Sequence, residues 1–162
     1  MRSSGEQLAG RGYLPAGEEA DYGRDSEESL LSLLHGGSPV ERTAAIRLLA
    51  QKDPAQHLQV FCGMLATETK LYTKLELCEA IGSCGEAAIP RLAELLGTIG
   101  SNQHTKPVNA DLGKKSFPLP RDIAARILIR LGTAVLPAME QILRKDSVER
   151  PSEAMDVIGH TS

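Results

Sequence analysis

Leu77 to Leu96 reads LCEAIGSCGEAAIPRLAELL, and Ala124 to Leu143 reads AARILIRLGTAVLPAMEQIL. Both stretches follow one plan, with Gly85 aligned to Gly132 and Pro90 to Pro137, each 47 residues further on. Internal similarity at a period of roughly 20–50 residues marks architectures in which each unit buries its apolar side against the next.

The plan extends outward in both directions. Let A be the helix that opens each unit and B its partner. Leu77, Ala80, Ile81 and Cys84 recur at helical spacing and correspond to Ala124, Ile127, Leu128 and Leu131. A first A helix carries Ala45, Leu48 and Leu49, with Lys52 at its frayed end, and a fourth carries Ala154, Val157 and Ile158. For the B helices, Ile89, Leu92 and Leu96 correspond to Leu136, Met139 and Leu143 and to Leu58, Phe61 and Leu65, all expected to face inward. Leu30 and Leu33 suggest a still earlier B helix.

Punctuation agrees with this reading. Ser38, Pro39 and Glu41 offer a capping box with proline at the first helical position, and Gly36 and Gly37 end the preceding helix. Gly85 and Gly132 permit the tight A-to-B turn because glycine adopts positive φ without a Cβ clash. The other units recur at about 28–32 residues, so the 47-residue spacing contains an insertion at about 99–118, rich in Gly, Asn and Pro. Lys106, Lys114, Lys115 and Arg121 stand there against Asp111, a local balance of +3, with Phe117 beside the last lysines. Lys114, Lys115 and Phe117 are therefore candidates for docking an acidic partner, with Phe117 and Leu119 tucking against the third A helix as the alternative.

Composition narrows the function. The chain has 162 residues, 41% hydrophobic but 3% aromatic and without Trp, so its core is built from Leu, Ile, Ala and Val. Residues 1–29 hold seven acids against three arginines, a net −4 within a chain of −3, and the remainder is close to neutral. A neutral body lacks the field that holds a phosphate backbone, so nucleic-acid binding is disfavoured. Residues 1–25, acidic and Gly-rich without apolar period, are expected to be a flexible tail, with a processed or linker segment as the alternative; residues 26–160 form the repeat domain. Cys62, Cys78 and Cys84 form no CxxC or Cys/His metal spacing, which suits a reducing compartment. With no secretory or membrane-spanning run in the sequence, the expected location is cytoplasmic.

Paired helices of the plan A-A-x-x-L, a short Gly turn, then A-x-x-x-x-L-x-x-L-L are similar to HEAT repeats, of the short type named after phycobilisome lyases. Armadillo repeats match less well, since no third helix per unit is visible. The resemblance covers Glu27 to Gly159 and implies an all-α, right-handed α-α superhelix whose B helices line a concave side. It implies a non-catalytic scaffold that presents this surface to a protein or peptide partner. Arg91, Glu94, Glu140, Gln141 and Arg144 then become candidate groove residues; an ordinary solvated helix face is the alternative for any one of them.

Enzymes with related repeats demand particular residues. A di-iron hydroxylase of this type uses His-Glu pairs, and no His-Glu dipeptide occurs, so no metal is expected. A DNA glycosylase would need aromatic side chains in a basic groove, which makes it the weaker alternative. A phycobilin lyase-like or chaperone-type protein holding a client is the stronger one, without any catalytic residue that can be transferred. No Gly-rich phosphate loop is present and no cofactor is expected. Because the periodic region starts on a B helix and stops on an A helix, Ala154, Val157 and Ile158 are expected to lack cover, which points to a longer array or to self-association through the C-terminal helix.

Overall fold

Glycines, prolines and capping side chains divide the chain into helices at the points where its backbone must turn. The computed structural model describes residues 3–100, 118–145 and 150–161, and all regular elements among the described residues are helical. They are α1 (Gly5–Ala9), α2 (Glu27–Gly36), α3 (Pro39–Lys52), α4 (Leu58–Thr67), α5 (Leu71–Gly82), α6 (Ile89–Leu95), α7 (Pro120–Arg130), α8 (Leu136–Lys145) and α9 (Arg150–Thr161). At the start of α3 the Ser38 N–H donates to the Glu41 carboxylate at 2.6 Å, and the Glu41 N–H donates to Ser38 Oγ at 3.3 Å. Two donors that the helix cannot satisfy internally are thereby satisfied.

The repeat noticed in the sequence is a repeat of backbone. After α5 comes a 3-10 turn over Gly85–Ala88, then α6; after α7 comes a 3-10 turn over Gly132–Val135, then α8. Gly85 and Gly132 have φ of 58° and 64°, a region that costs other L-residues roughly 1–2 kcal/mol. Pro90 and Pro137 fall in the first turn of α6 and α8, where a missing N–H breaks no helix bond. α3, α5, α7 and α9 touch in succession, as do α4, α6 and α8, and A packs on B in α2–α3, α4–α5 and α8–α9. Leu49, Phe61, Leu65, Leu77, Ile81, Leu92, Leu128 and Met139 are fully buried between these helices.

One inward assignment and one expected exposure change. Leu143 is 38% exposed, whereas Ile142 is 7% exposed. α6 ends at Leu95, so the extended residue Leu96 turns into the core; α8 stays helical to Lys145, and its 3.6-residue period carries Leu143 outward. The fourth A helix is not bare either. Ala154 and Val157 are completely buried because α9 lies against both α7 and α8, leaving Ile158 half-buried and Met155 exposed.

The segment expected to be a flexible tail is packed where it is described, over residues 3–25. The hydroxyl of Thr43 in α3 donates to the Gly12 carbonyl at 2.8 Å, and the Tyr72 N–H in α5 donates to the Arg11 carbonyl at 3.0 Å. Arg47 donates to the Pro15 carbonyl and pairs with Glu19 at 3.2 Å and Glu76 at 2.8 Å, tying the segment to α3 and α5 together. Leu14 is buried, and Gly12, at φ 85°, sits where an added Cβ would collide with the Thr73 hydroxyl. Composition misleads here because a few tertiary anchors, without any period, order the segment.

One basic position recurs with the repeat. Arg42, Lys74 and Arg121 keep the spacing of 32 and 47 residues that relates Ala45, Leu77 and Ala124, and each reaches forward to the next unit. Arg42 grips Glu68, between α4 and α5, through Nε at 2.9 Å and Nη2 at 3.1 Å. The buried Lys74 donates from Nζ to the Pro118 carbonyl at 2.8 Å, just before α7. Arg121 pairs with Glu153 of α9 at 2.8 Å. The Arg121 N–H also donates to the Thr98 carbonyl at 3.0 Å, so the chain leaves and rejoins the repeat at one place. The insertion at 99–118 otherwise lies largely outside the described residues.

Two measurements follow from this packing. Ile142→Ala should cost about 2–4 kcal/mol in urea unfolding and Leu143→Ala under about 1; equal losses would contradict the register. Burial holds the Lys74 ammonium below its usual value of 10.5, with Glu68 and Asp122 opposing the shift. Between the folded value and 10.5 the unfolded chain binds a proton that the folded chain does not, so stability rises with pH in that window. The stability of the native chain relative to Lys74→Met should therefore improve as pH climbs from neutral towards 10.5, and a constant difference would contradict the burial.

Candidate functional site

Among the described residues, the B helices line two open grooves. The first runs between α6 and α8 with a volume of about 350 Å³. Its floor is Ala93, Ala138 and Ile142, and its polar lining includes Glu94, Gln141 and Lys145. Glu94 and Gln141 stand 47 residues apart, at the same position of successive B helices, so the repeat itself brings them to one groove.

The other sequence-derived candidates fall differently. Arg91 is drawn along α6 into a pair with Glu94 at 3.0 Å. Glu140 and Arg144 pair with each other at 3.5 Å on the solvent side of α8, with side chains 62% and 80% exposed. An exposed i, i+4 pair of this kind contributes about 0.3–0.5 kcal/mol, so it leaves both groups available at little cost. Lys114, Lys115 and Phe117 lie outside the described residues. Of the candidates, then, Glu94 and Gln141 share a groove and Arg91 is tied to it through Glu94.

The second groove, about 590 Å³ between α2 and α4, was not singled out from the sequence. Leu34, Val60 and Met64 form its apolar part, Gln59 and Thr67 its uncharged polar part, and the Arg42–Glu68 pair closes one end. Its signal is legible in retrospect: Gly63 occupies the B-helix position that holds Glu94 and Gln141 in the next two units. A missing side chain widens the first groove of the row.

Burial pushes the Cys62 thiol up to about 11 and raises Cys78 and Cys84 in the same direction, which keeps all three as neutral thiols near neutral pH. Among the described residues, no group of three or more His, Cys, Asp or Glu side chains is placed to hold a metal ion. Phe61 is consumed by the core, and Tyr13 and Tyr72 pair edge to face at 5.0 Å across the N-terminal segment and α5, away from both grooves. No helix among the described residues is long and apolar enough to cross a membrane.

No protein-family model, no curated protein and no solved structure matches this chain. The HEAT-like resemblance therefore rests on the chain's own repeat.

Proposed function

We propose that the chain is a short HEAT-like array with right-handed superhelical twist, and that it is a non-catalytic scaffold whose B-helix side receives a protein or peptide partner. The observation that carries the reading is the repeated placement of Glu94 and Gln141 beside an apolar floor of Ala93, Ala138 and Ile142. Apolar centres bordered by polar groups of both signs are the usual composition of protein interfaces. Glu94, with Lys145 and Arg150, gives that border no single sign, which suits a protein surface better than a polyanion. The neutral, buried thiols supply no nucleophile to set against this reading.

The test begins with affinity capture from the native cell extract and identification of what is retained. Binding of the purified partner should then fall about tenfold or more, at least ~1.4 kcal/mol, in the double variant Glu94→Lys with Gln141→Lys, with helicity unchanged. Unchanged affinity would remove the α6–α8 groove from the interface. A stoichiometric metal, nucleotide or chromophore in the purified protein would overturn the scaffold reading itself.

A further inference from the structure

The chain itself shows what one groove on the A-helix side takes. Residues 11–19 lie against α3 and α5 without forming an α-helix. Thr43 donates to the Gly12 carbonyl at 2.8 Å, and Arg47 Nη1 donates to the Pro15 carbonyl at 3.1 Å and to Glu19 at 3.2 Å. Arg47 Nε holds Glu76 of α5 at 2.8 Å, so one guanidinium joins the segment to both helices. Ile46, between Thr43 and Arg47 on α3, is fully buried.

α7 packs on α9 as α3 packs on α5, and the repeat carries the same positions into the groove between them. Thr43, Ile46 and Arg47 become Asp122, Ala125 and Arg126, each 79 residues on, and Glu76 becomes Glu153, 77 residues on. All four line an open groove of about 380 Å³. Its apolar part is Ala125 and, a turn further along, Ile129, both half-buried.

Two groups in this groove have unused capacity. Arg126 is exposed and, among the described residues, has no hydrogen-bond or ion-pair partner. Glu153 Oε1 accepts Arg121 Nη1 at 2.8 Å, whereas Oε2 is buried and accepts no hydrogen bond among the described residues. A buried oxygen left in this state is a cost that a donor from outside removes. The remaining charges are engaged: Arg130 pairs with Glu79 at 3.2 Å, Asp156 lies 3.5 Å from His160, and Asp122 accepts the Leu119 N–H at 2.9 Å.

One difference between the two grooves separates their occupants. Asp122 can only accept where Thr43 donates, so the Gly12 carbonyl would meet a carboxylate there, and residues 11–19 of a second copy are disfavoured. The arginine and the apolar strip are kept. We propose that the α7–α9 groove binds a non-helical segment of a partner protein, which sets a carboxylate on Arg126, an apolar side chain on Ala125 and Ile129, and an N–H on Glu153 Oε2. This surface is additional to the α6–α8 groove and does not rest on the reading of that groove.

The test is selection of linear 12-residue peptides from a displayed random library against the intact chain, with NMR of the Ala125 and Ile129 methyl groups. Selected peptides should share a carboxylate and an apolar residue at a fixed spacing and should shift both methyls. Arg126→Gln should weaken them about tenfold or more and Arg144→Gln should not, with the melting temperature unchanged in both, because both arginines are exposed. Peptides that shift these methyls without a common carboxylate, or that bind Arg126→Gln equally well, would overturn the proposal, and so would the absence of any peptide that shifts them. Peptides that shift α6 and α8 alone would overturn it and leave the reading of the α6–α8 groove standing. Movement of the two methyls with protein concentration would assign the groove to a second copy, and movement on deleting residues 102–116 to the chain's own segment; either result overturns the proposal.

Discussion

Each unit of this chain is tied to the next by a cation that reaches forward from the same turn of an A helix. Arg42, Lys74 and Arg121 occupy equivalent positions, and their acceptors are Glu68, the Pro118 carbonyl and Glu153. The apolar contacts between units are stronger in sum, but they are non-directional. A bidentate guanidinium on a carboxylate that is 4% exposed has a defined geometry, and breaking such a buried pair by removing one partner costs about 3–5 kcal/mol. Against full hydrophobic replacement the same pair is nearly neutral, so its contribution is to the orientation of α5 relative to α3 more than to total stability. The variation in acceptor is instructive. At the second junction a carbonyl is one of the acceptors, and it belongs to Pro118, just before α7.

Legibility in the sequence follows how local each determinant is. The helices, their order and the glycine turns were readable because periodicity, Ser38, Gly85 and Gly132 act within a few residues. Leu143 was misplaced because alignment of Leu96 with Leu143 ignores where each helix ends: α6 stops one residue before Leu96, and α8 continues. The N-terminal segment was unreadable for a different reason. Gly12, Thr43, Thr73 and Arg47 are distant in sequence, and only the packed α3–α5 surface shows that they meet. Glu94 and Gln141 can be placed together from the sequence because the repeat aligns them, whereas the wide groove at Gly63 is not legible because an absent side chain has no pattern to follow.

On the proposed scaffold reading, selectivity would come from the differences between the two grooves. The side chain at one repeat position differs from one B helix to the next: glycine at 63, glutamate at 94, glutamine at 141. The α2–α4 groove is the wider, with the Arg42–Glu68 pair at one end, and the α6–α8 groove the narrower, with Glu94, Gln141 and Lys145 at its border. Differences of a few kcal/mol between partners need no more than this.

The central claim is that the chain is a one-dimensional array held unit to unit, and hydrogen exchange of Arg121→Met against the native protein tests it most directly. Removing the Arg121–Glu153 pair should lower amide protection in α9 and the adjoining part of α7 and leave α2, α3 and α4 as protected as before, because stability in an array passes between nearest neighbours. An equal loss of protection from α2 to α9 would show a single cooperative body and contradict the account.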